Sequence, residues 1–200
     1  MVVPTDWRWT RAQAHFLESM HVKQETLAVC MDQIIAGAEL IATSFSHGGK
    51  LLLCGNGGSA ADCQHMAAEF TNRLTAQFER TALPAIALTT DSSFITSYAN
   101  DVGFEGVFAR QIEAIGGPHD VLLGISTSGR SANVIRAVET AKMRGMSTIA
   151  LTGCIGPLGE VASVAIMVPS ESTQYIQEAH LVIEHILCDL SERIIFGIVK

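Results

Sequence analysis

Twice along the chain a short apolar run leads straight into a loop of glycine and small polar residues, which then opens into a helical pattern. The first copy reads Leu51-Leu52-Leu53-Cys54-Gly55-Asn56-Gly57-Gly58-Ser59-Ala60-Ala61-Asp62, the second Val121-Leu122-Leu123-Gly124-Ile125-Ser126-Thr127-Ser128-Gly129-Arg130-Ser131. Glycine lets the backbone come close to a ligand, and the free N–H groups of a helix start carry the positive end of its dipole. Hydroxyl side chains add donors. A loop so built suits an anion, usually the phosphate of a sugar or a nucleotide. A chain that makes this unit twice is an α/β protein, and any function must account for both loops.

The remaining pattern alternates in the same sense. Continuous apolar runs at 50–54, 85–88, 121–125, 148–151 and 164–168 predict parallel strands covered on both faces. Helical spacing fills 60–72, 104–115, 131–144 and about 174–196. Residues 7 to about 47 read as one long helix or two consecutive ones, with Leu27, Ile34, Ile35, Ala38 and Ile41 at helical spacing and His47-Gly48-Gly49 as the stop. The expected fold is a doubly wound α/β sandwich, a mostly parallel five-stranded sheet flanked by helices, with an N-terminal helical hairpin. It is expected as a single domain over 1–200, with helices over 1–47 and the sandwich and its C-terminal helix over 48–200. Ligands of such sheets sit outside the carboxyl ends of the strands. Both loops, Asp91 and Asn100-Asp101 fall there, so one cleft is expected to hold them.

With 48% hydrophobic and only 16% charged residues, the chain has little charge to cover its surface. No apolar run nears the roughly 18 residues of a membrane span. The longest, Val164-Ala165-Ile166-Met167-Val168, stops at Pro169. Contacts between copies are the expected outlet for the apolar surface, which favours a homo-oligomer. The opening Met1-Val2-Val3-Pro4-Thr5-Asp6 has no cationic lead into a signal-type stretch, and no membrane attachment is expected. Five cysteines, at 30, 54, 63, 154 and 188, show no metal spacing and read as reduced thiols of a cytoplasmic protein. A net charge of −7 without a Lys/Arg cluster argues against a nucleic-acid partner.

The first loop satisfies the dinucleotide pattern G-x-G-x-x-A over Gly55 to Ala60, but the acid that should close the second strand is missing, since Asp91 lies too far on. No G-K-[ST] follows either, which excludes a nucleotide P-loop. The second loop offers Ser126, Thr127, Ser128 and Ser131 at a helix start. Ser128 or Ser131 can serve as an N-cap; the surplus points to a phosphate held by neutral donors. Helix 60–72 carries Asp62, and His65, Glu69 and Arg73 follow at four-residue spacing on one face. A solvated face is the ordinary reading of such a string. Here Ala60, Ala61, Cys63, Met66, Ala67, Ala68 and Phe70 leave little of the helix polar, and a His and a carboxylate at i, i+4 match the reach of a shared divalent metal. The last helix is likewise apolar, punctuated by Gln177, Glu178, His180, Glu184 and His185. A histidine on such a helix is commonly a packed residue, and the residues alone do not rank His180 against His185.

At these positions the sequence becomes specific. The segments 54–62, Gln64-His65, Glu69, Arg73, 83–91, Ala99-Asn100-Asp101, 120–129, 176–180 and 185–188 together resemble the phosphoheptose isomerase family of the sugar-isomerase (SIS) fold, from about Gly48 to Leu190. The resemblance implies an aldose–ketose isomerase that converts D-sedoheptulose 7-phosphate to D-glycero-D-manno-heptose 7-phosphate through an enediol(ate), supplying heptose for cell-envelope polysaccharide. It implies a homotetramer with active sites between subunits. Transferred residue by residue, Asn56, Gly57, Gly58, Ser59, Glu69, Arg73, Asn100, Asp101, Ser126, Thr127, Ser128, Ser131 and Gln177 would contact substrate. Glu69 and His185 would be the acid–base pair, and His65, Glu69, Gln177 and His185 the ligands of one zinc ion. Gln177 and His185 stand eight residues apart, a rise of about 12 Å, so ligands from more than one chain are expected. The alternative is a non-catalytic regulator of the same fold that binds the replication initiator protein or senses a sugar phosphate. That branch lacks the glutamate of the His-x-x-x-Glu pair, and Glu69 is present here.

Overall fold

The structure, a computed structural model, describes residues 6–198; the opening residues 1–5, on which the expectation of no signal segment rests, lie outside it. Five strands form one sheet: β1 (Leu51–Gly55), β2 (Ala85–Ala87), β3 (Val121–Ser126), β4 (Ser147–Gly153) and β5 (Val164–Val168). Their spatial order is β2-β1-β3-β4-β5 and every pairing is parallel. Alternate residues of the three central strands, β1, β3 and β4, feed two separate cores. Leu51, Leu53, Val121, Leu123 and Ile125 face one side with α1 (Trp7–Ser46), α2 (Gly58–Thr71) and α7 (Thr173–Phe196). Leu52, Cys54 and Leu122 face the other, against α4 (Val107–Ile115) and α5 (Ala132–Met143). A fully buried leucine contributes about 1.5–3 kcal/mol over an exposed one, so strands buried on both faces tolerate few polar residues.

In this order β1 and β3 are neighbours from which the chain winds in opposite directions. That is the switch point at which open α/β sheets bind ligands. Gly55 pairs with Ile125 at the carboxyl end of both strands, so the two polar loops emerge side by side.

Of the two readings open for the N-terminal region, the single long helix holds and the hairpin does not: α1 is unbroken over 40 residues. No glycine or proline interrupts it before Gly37, and that glycine is needed for contact: a Cβ there would stand 3.2 Å from Leu187 of α7. α1 is also long and apolar enough to cross a membrane by length and composition alone, contrary to the expectation of no such run. Its apolar residues are interspersed with Ala, Thr and Gly, and the stripe Val22, Cys30, Ile34, Ala38 and Ile41 is buried as in a core helix. Two further helices, α3 (Ser92–Asp101) and α6 (Leu158–Val161), and a single 3-10 turn over Phe104–Gly106 complete the described elements. Asp91 caps α3 by accepting the Phe94 N–H at 2.9 Å, which occupies its carboxylate with structure.

Candidate active site

Asn56 and Ser59 of the first loop, with Ser126, Thr127, Ser128 and Ser131 of the second, line one cavity of about 170 Å³. Gly57, at φ 57° and ψ −121°, turns the first loop into α2, a conformation that a side chain would strain. Neither α2 nor α5 has a side-chain cap at its start. Ser131 occupies the capping position of α5, but its hydroxyl bonds Ser126 Oγ at 2.9 Å instead. The sequence left Ser128 and Ser131 open as caps, and neither spends its hydroxyl that way: Ser128 Oγ accepts the Arg130 N–H at 3.3 Å. The first N–H groups of both helices are therefore left for a ligand. Asn56 is held across the switch point by Asn133 of α5, each amide donating to the other at 2.9 Å.

The second cluster lies along α2. His65 Nε2 and His185 Nε2 face one another at 2.9 Å, and Glu69 Oε1 is 3.7 Å from His65 Nδ1. One ring must carry its proton on Nε2 while the other presents a lone pair. This contact forms within a single chain because α2 packs alongside α7 on the same face of the sheet. Gln177 reaches α2 as well, donating to Asp62 Oδ2 at 2.9 Å. It fits only because residue 58 is glycine: a Cβ there would lie 2.0 Å from Gln177 Nε2. Burial raises the Asp62 carboxyl, and the Gln177 bond and the charge of His65 partly offset that rise.

Three expected contacts lie apart. Arg73 falls beyond the end of α2 at Thr71 and is exposed, so the expected helical stripe stops at Glu69. Asn100 and Asp101 close α3, exposed, with Asn100 Nδ2 donating to Asp101 Oδ1 at 2.8 Å.

The histidines separate cleanly. His180 is fully buried and burial pushes its pKa down to about 4, with the Thr152 backbone offsetting little. Neither of its ring nitrogens makes a well-formed hydrogen bond. Glu184, also fully buried and unbonded, is pushed up to about 8 by burial and then by Asp62. Both groups are neutral packing at pH 7, whereas His185 is exposed beside His65. Burial likewise raises the thiols of Cys63 and Cys188, which keeps them from acting as thiolates. Sequence reasoning missed Asn133. Its signal was an amide two residues into the helix opened by the second loop.

The donor types suit a divalent cation: two imidazole nitrogens aimed at each other, a carboxylate one turn along, and an amide oxygen on the facing helix. Among the described residues, however, no three His, Cys, Asp or Glu side chains are gathered closely enough to hold an ion as they stand.

A family model described as SIS domain matches residues 15–153. The chain is 50% identical over 179 residues to the phosphoheptose isomerase of Roseiflexus sp. strain RS-1, covering 89% of this chain and 90% of that protein. Among solved structures, the phosphoheptose isomerase of Neisseria gonorrhoeae superposes with TM-score 0.84 at 45% identity, over 92% of this chain and 98% of that one. The phosphoheptose isomerase of Francisella tularensis gives TM-score 0.89 at 38% identity, over 94% and 100%.

Proposed function

Since this chain belongs to the phosphoheptose isomerases of the SIS-domain family, it interconverts D-sedoheptulose 7-phosphate and D-glycero-D-manno-heptose 7-phosphate, and we propose that Glu69 and His185 carry the proton transfer. The observation that carries this assignment is the cluster of His65 and Glu69 on α2 with His185 on α7, beyond the hydroxyl-lined cavity.

The phosphate occupies the cavity among Asn56, Ser59, Ser126, Thr127, Ser128 and Ser131, held by hydroxyls, an amide and helix-start N–H groups. From Gly58 to His65 is about 10 Å along α2, which leads from the phosphate toward the opposite end of an extended seven-carbon chain. There Glu69, as general base, takes the proton from C1 of the ketose and returns it to C2 of the enediolate. His185 moves a proton to or from the adjacent oxygen, with His65 holding its ring in place through the Nε2 contact. Gln177, fixed by Asp62, donates to a substrate hydroxyl. His65, Glu69, Gln177 and His185 would hold a zinc ion, whose charge would stabilise the enediolate oxygen. The exposure of Arg73, Asn100 and Asp101, and of Trp7, Phe16, Leu17 and Met20 on α1, supports a homotetramer in which a second copy completes each site. We place the protein in the cytoplasm, in keeping with five free thiols and a phosphorylated substrate. The test is incubation of purified protein with sedoheptulose 7-phosphate under NMR observation. Aldose signals are expected; their absence overturns the assignment.

A further inference from the structure

We infer that Arg80, in the loop between α2 and β2, is a positioning residue for the proton-transfer pair. Its side chain is 1% exposed, and that of its partner Glu192 is 2% exposed. Nη2 donates both to the Glu192 carboxylate on α7 and, at 2.7 Å, to the backbone carbonyl of Glu69; Nη1 donates to the Thr81 carbonyl at 3.0 Å. The Glu69 carbonyl belongs to the last turn of α2, where helix carbonyls have no partner of their own and attract a cation. Its neighbour Phe70 is satisfied from the same loop, by the Leu83 N–H at 3.1 Å.

The other end of the clamp is equally placed. Glu192 stands seven residues after His185, two turns along α7 and on the same side. One guanidinium therefore ties the turn that carries the base to the helix that carries its partner. It sets the separation of Glu69 and His185 without touching substrate. The phosphate cavity lies at the opposite end of α2 and owes nothing to this contact. Loss of the clamp should therefore lower kcat and leave KM in place.

The inference rests on the isomerase reading. A buried ion pair that only stabilises the fold can be replaced by apolar residues of similar volume with little loss, which provides the test. In Arg80→Met/Glu192→Met the pair is gone without an orphan charge, and the Glu69 carbonyl has lost its donor. We expect a melting profile close to that of the wild type, KM within about twofold, and kcat lowered about 10- to 100-fold, the scale of a misplacement of about 1 Å at a catalytic group. A folded double variant with wild-type kcat overturns the inference. Should that variant not fold, Arg80→Lys decides: its ammonium keeps the charge opposite Glu192 but ends short of the Nη2 position, so kcat should fall at constant KM, and unchanged kcat overturns the clamp. Wild-type protein that does not turn over sedoheptulose 7-phosphate overturns both readings, whereas an active wild type beside an unimpaired variant removes this one alone.

Discussion

Asn56 and Asn133 exchange two amide hydrogen bonds of 2.9 Å each, joining the loop after β1 to the helix after β3. Asn133→Ala removes both. Stability should drop by about 1–3 kcal/mol, the net worth of two such bonds, and KM should rise more than kcat falls because the phosphate site loosens. Asn133→Asp still accepts from Asn56 but sets a negative charge beside the phosphate, so its KM should rise further. Equal KM values in wild type and Asn133→Asp would show that this pair does not shape the cavity.

Glu69→Gln changes little in shape and removes the base. Turnover should fall by at least about 100-fold at unchanged melting temperature. His185→Ala should be comparably harmful, while His180→Ala should act through packing. A purified His180→Ala variant that is as stable as wild type yet the more damaged in kcat would reverse the two assignments.

Gly58→Ala inserts a methyl group where Gln177 Nε2 now stands, 2.0 Å away. The amide can swing aside, and alanine is the better helix former by up to about 1 kcal/mol, so the fold should be kept or gain slightly. Activity should nonetheless fall, because Gln177 loses its bond to Asp62. Wild-type kinetics in this variant would mean that Gln177 need not sit where it does.

Two buried groups one turn apart on α7 tie stability to pH in opposite senses. His180 has its pKa lowered from 6.5 to about 4, so its contribution is whole above pH 6.5 and is lost as pH falls toward 4. Glu184 is raised from 4.5 to about 8, so its contribution is whole below pH 4.5 and is lost as pH rises toward 8. Between pH 7 and pH 5 each changes stability by about 2 kcal/mol, and in the wild type they largely cancel. Urea unfolding should therefore show His180→Phe gaining stability toward pH 5 and Glu184→Gln losing it. Parallel slopes in the two variants would contradict this pairing.

The proposed zinc site predicts metal dependence. Gln177 is a weak neutral ligand and no cysteine takes part, so affinity should be moderate and other divalent ions accepted. Chelation and dialysis should lower activity, zinc should restore it, and His65→Ala should reduce bound metal. Full activity in chelator, with no ion in fresh protein, would leave these four residues as an acid–base and binding set.

The sheet was legible because parallel strands buried on both faces read as continuous apolar runs; the expected limits of β3 and β5 differ from the observed ones by no more than a residue. That the two polar loops share one cavity was legible too, since helix starts without a capping side chain advertise themselves as small polar loops. What spacing along one helix could not show was the packing of α2 beside α7, which gathers His65 and His185 in one chain. Nor could it show Arg80, which sits in a polar loop and reads as solvated, while its partner Glu192 lies 112 residues on. The α1 hairpin failed for a different reason: continuous helical spacing over 7–47 fits one helix or two, and packing on α7, with Gly37 as a close contact, decides for one.

Among the described residues no lysine or arginine side chain lines the cavity assigned to the phosphate, and the chain as a whole carries a net charge of −7. On the proposed assignment the dianion is gripped by short-range dipoles after an approach that the protein's overall field opposes. Salt ordinarily weakens the capture of a phosphate compound by screening attraction. Here it screens repulsion, so encounter should quicken as ionic strength rises, and the grip, once made, should be indifferent to it.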